Sequence, residues 1–317
     1  MPLISIGMPV FNGAESIAAS IDSLLAQTVG DFELIICDNA STDATADVCA
    51  RYASRDARIR YHRNSQNLGV NPNYNLTLSY ASAPFFKWAS ANDLCAPTFL
   101  ERCLAPLETD PSVVLAYPRT TLIDGAGATI EPYDDGLDLR EDDACLRLQH
   151  ALERMRLNNV MNGVIRRTTL ARVRPMRSYP PADLVLTVEL ALHGKFAEVP
   201  EPLFFRRFDR ASAQALGHRR EEDVRRFHDP TLRSRMLFSQ WRLHAAYFAA
   251  VWRAPLTRSQ RRRAFEYLGR QLYWSRHHLW ADVATAARKL SSRDAQDAPN
   301  EAATQVASAE HSCDTSR

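Results

Sequence analysis

Two short apolar segments that each run directly into polar residues constrain the fold of this chain most strongly. Residues 4–10 and 32–37 have the length and apolar character of buried strands, and small or polar residues follow each of them. Between them, apolar side chains recur with helical spacing from Ile17 to Leu25. A strand, a helix and a second strand require a crossover connection, so the two strands should be parallel. Ligands of open parallel sheets bind beyond the carboxyl ends of the strands, where these polar residues lie.

Strand and helix patterns continue to alternate through the first 215 residues, with a loop predicted at 131–139. The further predicted strands are 59–62, 84–88, 113–117, 159–165, 196–199 and 203–206, and the further predicted helices are 44–54, 71–81, 144–157 and 184–193, with another beginning at Pro97. This alternation predicts an α/β fold with a mostly parallel, Rossmann-like sheet flanked by helices.

The charge and the pattern both change after the predicted α/β domain of residues 1–215. Residues 1–217 carry 21 Lys and Arg against 26 Asp and Glu, whereas residues 218–290 carry 16 against 6. Two helical segments, 220–253 and 257–290, are predicted on either side of Pro255, so residues 216–290 form a basic helical appendage. Residues 291–317 show no periodicity and are predicted to be a disordered tail.

The composition is that of an ordinary globular protein, with 45% hydrophobic and 24% charged residues in 317. No apolar run reaches the ~18 residues needed to span a bilayer. The first residues lack the basic start of a signal peptide. The six cysteines include no CxxC pair, which argues against a zinc site or a disulfide framework. We therefore expect a cytoplasmic protein.

Four motifs follow one another through the predicted sheet. They are Pro-Val-Phe-Asn at 9–12, Asp-Asn-Ala-Ser-Thr-Asp-Ala-Thr at 38–45, Asn-Leu-Gly at 67–69, and Phe-Lys-Trp-Ala-Ser-Ala-Asn-Asp-Leu-Cys-Ala-Pro at 86–97. Over about residues 3–210, the chain resembles the family 2 glycosyltransferases, which are inverting enzymes of GT-A fold. The resemblance implies transfer of a sugar from a nucleotide-activated donor, expected to be a UDP-sugar, to a hydroxyl group of a glycan or lipid-linked saccharide. It also implies a role in the synthesis of cell-surface polysaccharides or glycoconjugates.

Sugar transfer requires that the charge of the departing diphosphate be neutralised by a divalent cation or by basic side chains. Family members hold the cation with an acid-x-acid-acid motif, and a Pro lies four residues after the last acid. Pro97 aligns Asp93 with the last acid, while Asn92 and Ser90 replace the other two. The reduced motif predicts a weakly held Mg²⁺ or Mn²⁺. The alternative is that Asp93 is only a solvated turn residue before the next helix.

The acceptor hydroxyl needs a base to take its proton. The resemblance implies that this base is Asp183, which follows the rigid residues 179–182, Tyr-Pro-Pro-Ala, and opens the apolar helix 184–193. Asp is also a favoured helix N-cap, so the alternative is a purely structural role at the start of that helix.

The resemblance implies a nucleotide site at the strand ends. Asp38 matches the family's base-binding acid, and Pro9 and Phe11 would shape a pocket for uracil. Asp38 could instead serve only to form its own turn. Arg63 and Asn67 follow the third strand on the same side of the sheet, where Arg63 could pair with the diphosphate.

Basic residues follow the last predicted strand, at a position where family members often carry a group that faces the phosphates. They are Arg206, Arg207 and Arg210. Arg207 is therefore assigned to the diphosphate together with Asn92 and Asp93.

Aromatic side chains are interleaved with arginines in the basic helical region. They are Trp241, Tyr247, Phe248, Trp252, Phe265, Tyr267, Tyr273, Trp274 and Trp280. Such helices either pack on the sheet through their aromatic residues or lie on the anionic inner face of a membrane. Nucleic-acid binding is not expected, because the chain contains no recognised module for it.

The sequence thus predicts a glycosyltransferase, and it leaves one alternative from another class. Erosion of the acidic motif could have produced a non-catalytic protein that binds nucleotide-sugars or acts as a scaffold. Turnover of a donor separates the two hypotheses.

Overall fold

The computed structural model of the chain describes residues 1–177, 182–208, 228, 230 and 238–294. Five predictions lie wholly or partly outside the described residues: the segment before Asp183 at 179–181, the position of Arg210, the domain boundary at 215, the first part of the helix predicted at 220–253, and the tail from 295 onward.

The described residues form one mixed nine-stranded sheet with helices packed around it. The strands are β1 Ile4–Val10, β2 Phe32–Asp38, β3 Ile59–Arg63, β4 Phe85–Trp88, β5 Leu94–Cys95, β6 Val113–Ile123, β7 Thr129–Tyr133, β8 Val164–Arg166 and β9 Lys195–Arg207. Their order across the sheet is β3-β2-β1-β4-β8-β6-β9-β5, and β7 pairs with β6.

Helices cover the sheet and extend beyond it in the described part of the chain. They are α1 Ile17–Leu25, α2 Thr45–Arg55, α3 Val70–Ser79, α4 Phe99–Thr109, α5 Ala144–Arg154, α6 Arg167–Leu170, α7 Ala182–His193, α8 Ser239–Arg253, α9 Arg258–Trp274 and α10 Arg276–Asp294. A 3₁₀ turn, Asn159–Asn162, precedes β8.

The parallel strands β3, β2, β1 and β4 form the half of the sheet that the first motifs predicted. All residues of β1 and β2 are buried, as expected for parallel strands covered on both faces. Helix α1 buries Ile17, Ile21 and Leu24 against this half. The carboxyl ends of β1, β2 and β4 therefore lie side by side, and the loops that follow them meet at one edge of the sheet.

The other half of the sheet differs from the prediction in several places. The predicted strand at 159–165 is a 3₁₀ turn followed by the short strand β8, and β5 was not predicted. Strand β6 continues to Ile123 instead of ending at 117, and β7 lies partly within the predicted loop at 131–139. The two short strands predicted at 196–199 and 203–206 are one strand, β9, that runs parallel to β6. A register shift opposite Pro118 and Arg119 accommodates the extra residues around Pro200, so the proline does not end the strand.

The described part of the C-terminal region, residues 238–294, is helical, but its division differs from the prediction. A second break at Ser275 separates α9 from α10, and α10 extends to Asp294, inside the predicted tail. Tyr247 on α8 and Tyr267 on α9 are buried in the same hydrophobic cluster as α5 and α7. These helices therefore pack on the α/β domain through part of their aromatic residues.

Other large aromatic side chains of this region remain exposed: Trp241, Trp252, Tyr273, Trp274 and Trp280. Among the helices that the structure describes, none combines the length and the apolar character required to cross a bilayer.

Candidate functional site

A cleft of about 710 Å³ opens at the carboxyl ends of the parallel strands. Four residues predicted from the sequence line it: Pro9, Phe11, Asn67 and Asn92. The other lining residues are Val10, Asn12, Gly13, Ser16, Asn39, Val70, Asn73, Tyr74, Ser90, Ala91 and Pro230. Phe11 is 48% exposed in the cleft, so its ring is accessible to a planar ligand.

Asp38 lies beneath the cleft and does not line it. Its carboxylate is fully buried and accepts hydrogen bonds from the Ser41 N–H at 2.8 Å and the Tyr61 hydroxyl at 2.8 Å. Arg63 approaches the same carboxylate at 3.7 Å and donates to the Ser41 carbonyl at 2.8 Å. In this structure, Asp38 and Arg63 thus hold the loop after β2 in place, as the turn-forming alternative expected for Asp38.

A network of asparagine side chains supports the wall of the cleft, and the sequence reasoning identified only Asn67 among them. Asn39 donates to the Asn67 Oδ1 at 2.8 Å, and Asn64 donates to the Oδ1 atoms of Asn39 and Asn73 at 3.0 Å. Asn73 in turn donates to the Cys37 carbonyl at the end of β2. The density of asparagine between residues 64 and 75 was the signal available in the sequence.

Gly69 allows a C-terminal segment to approach this network. Its φ is +88°, and a Cβ at this position would lie 2.4 Å from the carbonyl oxygen of His228. Pro230, two residues after His228, lines the cleft. Only glycine satisfies both the positive φ and the close approach, which accounts for the Asn-Leu-Gly motif.

The pairing of β5 with β9 places Asp93 against the last strand of the sheet. Leu94 pairs with Phe205, and the backbone N–H of Arg207 donates to the Asp93 Oδ1 at 2.9 Å. Asp93 is 8% exposed, and its burial raises the pKa of the carboxyl group. The Arg207 N–H, the charge of Arg206 and a hydrogen bond with Ser90 oppose this rise. Asp93 is therefore a buried, partnered carboxylate, and the solvated-turn alternative is wrong.

The two arginines that follow Phe205 differ in what their side chains contact. The guanidinium group of Arg207 donates to the carbonyls of Asp124 and Gly125 in the β6–β7 turn. The guanidinium group of Arg206 instead contacts the Leu157 carbonyl and the Asn159 Oδ1, and its charge acts on Asp93. Successive strand residues point to opposite faces, so the two side chains make different contacts, and the charge of Arg206 acts on Asp93. The assignment of Arg207 to the diphosphate stays a prediction.

Asp135 extends this charged cluster away from the sheet. It is 4% exposed, and burial raises its pKa to about 6, against the opposing effects of the Asn159 N–H and the Arg206 charge. The charge of Arg206 thus acts on two buried carboxyl groups, those of Asp93 and Asp135.

The protein residues around Asp93 supply only some of the ligands that a divalent cation needs. Mg²⁺ binds oxygen ligands and often takes one or two protein carboxylates with waters and phosphate oxygens. Asp93 offers one carboxylate and Asn92 one exposed amide. Within the described residues, no group of three or more His, Cys, Asp or Glu side chains could enclose an ion. An ion here would therefore take most of its ligands from a donor diphosphate and water.

Asp183 lies one residue inside α7, so it is not the N-cap of that helix. Its Oδ2 accepts a hydrogen bond from the Asn158 side chain at 3.0 Å, and the Asn158 Oδ1 accepts one from the Thr187 hydroxyl at 2.9 Å. Asn158 is buried and has a φ of +55°, a conformation that Asn tolerates better than most residues. Asn158 and Thr187 thus fix the orientation of the Asp183 carboxylate.

Tyr74 connects the cleft to both carboxylates, and the sequence reasoning missed it. It lines the cleft from α3, and its hydroxyl hydrogen-bonds Ser90. Burial raises the pKa of Tyr74, and the negative charges of Asp93 and Asp183 raise it further. Both carboxylates therefore act on the hydroxyl group of one residue that lines the cleft. No motif in the sequence marks a tyrosine in the middle of a helix.

Sequence comparison supports the resemblance inferred from the motifs. Residues 5–140 match the model of Glycosyl transferase family 2. The putative glycosyltransferase EpsE of Bacillus subtilis (strain 168) is 35% identical over 108 residues, which cover 34% of this chain and 39% of EpsE. The Escherichia coli enzyme WfgD, a UDP-Glc:alpha-D-GlcNAc-diphosphoundecaprenol beta-1,3-glucosyltransferase, is 35% identical over 99 residues, covering 31% of this chain and 38% of WfgD. The chain thus spans well under half of the length of these relatives.

Structural comparison extends the likeness to most of the chain. The S. aureus protein TarS (residues 1–349), solved in complex with UDP, superposes with a TM-score of 0.61 and 15% identity, over 87% of this chain and 73% of that structure. The mannosyltransferase PcManGT of Pyrobaculum calidifontis, solved with GDP-Man and Mn²⁺, superposes with a TM-score of 0.53 and 16% identity, over 98% of this chain and 80% of its own. The GT-A-type α/β fold predicted from the motifs is confirmed by these structures, and residues 5–140 are similar to family 2 glycosyltransferases in sequence.

Proposed function

We propose that this protein transfers a sugar from a nucleotide-activated donor to a hydroxyl acceptor, with inversion, in the synthesis of a polysaccharide or glycoconjugate. The observation that carries the proposal is that Tyr74 lines the cleft and that its hydroxyl group is influenced by the charges of both Asp93 and Asp183. In the proposal, Asp93 acts at the leaving diphosphate and Asp183 acts as the base.

The donor is proposed to be a UDP-sugar whose base lies against Phe11 and whose ribose faces Asn39 and Asn67. Phe11 offers an exposed ring, and stacking of a base on such a ring contributes about 1–3 kcal/mol. Support comes from TarS, which binds UDP. In this proposal, Asp38 holds the loop that carries Asn39. A direct contact between Asp38 and the nucleotide would require this loop to shift.

Asn92, Asp93 and Arg206 are proposed to receive the diphosphate. A Mg²⁺ or Mn²⁺ ion bound with the donor would neutralise negative charge on the leaving group. Asp93 and Asn92 would hold that ion from the protein side. Arg206 carries a fixed positive charge at the same place, so it contributes to neutralisation whether or not an ion is bound.

Asp183 is proposed to take the proton of the acceptor hydroxyl. As the O–H bond breaks, the oxygen attacks the anomeric carbon from the face opposite the diphosphate. The bond from that carbon to the diphosphate oxygen breaks, and its electron pair leaves with the nucleoside diphosphate. The hydrogen bond from Asn158 keeps the carboxylate aimed while the other lone pairs of Asp183 remain available.

The acceptor is proposed to be a lipid-linked saccharide or glycan at the inner face of a membrane. WfgD acts on a saccharide attached to diphosphoundecaprenol. The exposed side chains of Trp252, Trp274 and Trp280 lie in a region rich in arginine, and such residues favour an anionic membrane surface.

Turnover separates this proposal from the alternative of a non-catalytic nucleotide-sugar-binding protein. UDP release from a panel of UDP-sugars would be measured with and without simple glycoside acceptors. We expect acceptor-dependent release by the native protein, and a loss of about 10²-fold or more in Asp183→Asn with unchanged UDP affinity. The matched control is Asp47→Asn, which changes an exposed carboxylate on α2. Binding of UDP without release from any donor in the panel would favour the non-catalytic alternative.

A further inference from the structure

A second cavity, separate from the nucleotide cleft, lies where the helical appendage packs on the α/β domain. It has a volume of about 490 Å³ and is bounded by α7, α8 and the segment 174–177. None of its lining residues is shared with the nucleotide cleft. We call it the α7–α8 cavity.

The floor of the α7–α8 cavity is apolar because of how the two helices present their residues. Helix α7 contributes Ala182, Val185 and Leu186, which lie on one helical face. Helix α8 contributes Ala245, Ala246 and Ala249, whose small side chains leave the space between the helices open.

Four arginines surround this floor: Arg174, Arg177, Arg242 and Arg253. The one carboxylate among the lining residues, Glu189, is 3% exposed and paired with Arg253. It also accepts a hydrogen bond from the Arg174 backbone N–H at 2.9 Å. Among the residues that the structure describes, the guanidinium groups of Arg174, Arg177 and Arg242 have no recorded acceptor. The cavity therefore carries an excess of about three positive charges over an apolar floor, an arrangement that suits an anionic group joined to a hydrocarbon.

The position of the α7–α8 cavity connects it to the proposed reaction. The first residue of α7 that lines it is Ala182, and the next residue along α7 is Asp183, the proposed base. Successive helical residues point about 100° apart, so the two side chains leave the same turn in different directions. An acceptor whose hydroxyl is at Asp183 would have room for an anionic, apolar anchor on the neighbouring face of the helix.

We propose that the α7–α8 cavity binds the diphosphate and the first part of the hydrocarbon of a polyprenyl-diphosphate-linked acceptor. The proposal rests on the proposed glycosyl transfer and names the chemical class of its acceptor. Arg177 and Arg242 bind the diphosphate oxygens, and the apolar residues of α7 and α8 contact the hydrocarbon.

The test is calorimetric titration of the full chain with geranyl diphosphate, a soluble short-chain prenyl diphosphate. We expect binding that weakens by about tenfold or more in Arg177→Ala and in Arg242→Ala, because each removes charge-assisted hydrogen bonds. Arg258→Ala is the matched control, since Arg258 is an exposed arginine of α9 outside the cavity. Ala246→Phe fills the cavity without changing any charge and should weaken binding to a similar extent.

Two further ligands distinguish binding of a prenyl diphosphate from binding of a free diphosphate or of an anionic membrane surface. Inorganic pyrophosphate should bind more weakly than geranyl diphosphate, since it lacks the hydrocarbon. Vesicles containing phosphatidylglycerol should bind the native protein and Arg242→Ala equally. Equal affinity for pyrophosphate and geranyl diphosphate would overturn the proposal, and so would an effect of Arg258→Ala equal to that of Arg242→Ala.

A UDP titration of the same samples separates this inference from the proposed function. Arg242→Ala and Ala246→Phe should leave UDP affinity unchanged, because no residue of the cavity lines the nucleotide cleft. UDP binding without any binding of geranyl diphosphate overturns the acceptor site alone. Failure of both ligands to bind overturns the acceptor site and counts against glycosyl transfer as well.

Discussion

The backbone N–H of Arg207 donates to the Oδ1 of Asp93 at 2.9 Å and so joins the last strand of the sheet to the acidic motif. The contact depends on the two-residue strand β5, which pairs with β9 immediately after Asp93. It uses the backbone of Arg207 and turns the side chain of the preceding residue, Arg206, toward the site. One strand pairing thus positions both the carboxylate and the cation of the proposed diphosphate site.

This relationship predicts opposite behaviour for two neighbouring arginines. Arg206→Ala should lower UDP affinity by about tenfold, because it removes a fixed charge from the diphosphate site. Arg207→Ala should leave UDP affinity within about twofold, since the backbone N–H that contacts Asp93 is retained. Calorimetry of both variants checks the assignment, and a larger loss in Arg207→Ala would reverse it.

Glu33 should make the stability of the fold depend on pH in the acid range. Its burial raises the carboxyl pKa, but hydrogen bonds from Ser5, Ser82 and Arg60 outweigh this effect and lower the pKa to about 2. Because the folded pKa lies below the unfolded value, the stabilisation is complete above about pH 5 and is lost as the pH falls toward 2. It amounts to about 3 kcal/mol.

Urea unfolding between pH 2 and pH 7 measures this effect. Glu33→Gln should be less stable than the native protein at pH 7 and should show a smaller decrease in the free energy of unfolding on acidification. If the free energies of unfolding of the two proteins decreased in parallel on acidification, Glu33 would not be responsible for the pH dependence.

Ala40 adopts a left-handed conformation, with φ of +63°, in the loop after β2. This conformation strains a residue with a Cβ, whereas glycine adopts it freely. Ala40→Gly should therefore raise the free energy of unfolding by about 1 kcal/mol, after allowance for the greater freedom of glycine in the unfolded chain. Ala57→Gly is the control, because Ala57 is exposed in a turn without a positive φ and should lose about 0.5 kcal/mol. A loss of stability in both variants would contradict the strain at Ala40.

The exposed tryptophans of α9 and α10 should take part in membrane binding. Trp274 and Trp280 are 55% and 72% exposed. We expect the protein to sediment with vesicles containing phosphatidylglycerol, less with neutral vesicles, and less at high salt. Trp274→Ala and Trp280→Ala should weaken sedimentation, and Tyr80→Ala, at an exposed aromatic of the α/β domain, should not. Sedimentation that is unchanged in the tryptophan variants would exclude these side chains from the contact.

The parallel half of the fold could be predicted because each of its elements has a local signature. The apolar runs of β1 and β2, the helical spacing in α1 and the polar residues at the strand ends are all short-range patterns. Asp93 and Asp183 could be named for the same reason, since motifs in their immediate sequence mark them.

Several features of the site depend on contacts between distant segments and could not be predicted. The carboxylate of Asp38 accepts a hydrogen bond from Tyr61, a residue of the neighbouring strand. The choice between Arg206 and Arg207 depends on the register of β5 with β9. Tyr74 enters the site only because α3 presents that one face to the cleft.

Titration of UDP into the protein by calorimetry, with Mn²⁺ and then with EDTA, is the most direct test of a nucleotide site in the cleft. We expect UDP to bind, EDTA to weaken the binding, and Phe11→Ala to weaken it about tenfold through lost base stacking. The matched control is Phe238→Ala, which removes an exposed phenyl ring at the start of α8 and should leave the affinity unchanged. Failure of UDP to bind in the presence of Mn²⁺, or equal affinities in the two phenylalanine variants, would contradict a nucleotide site in this cleft.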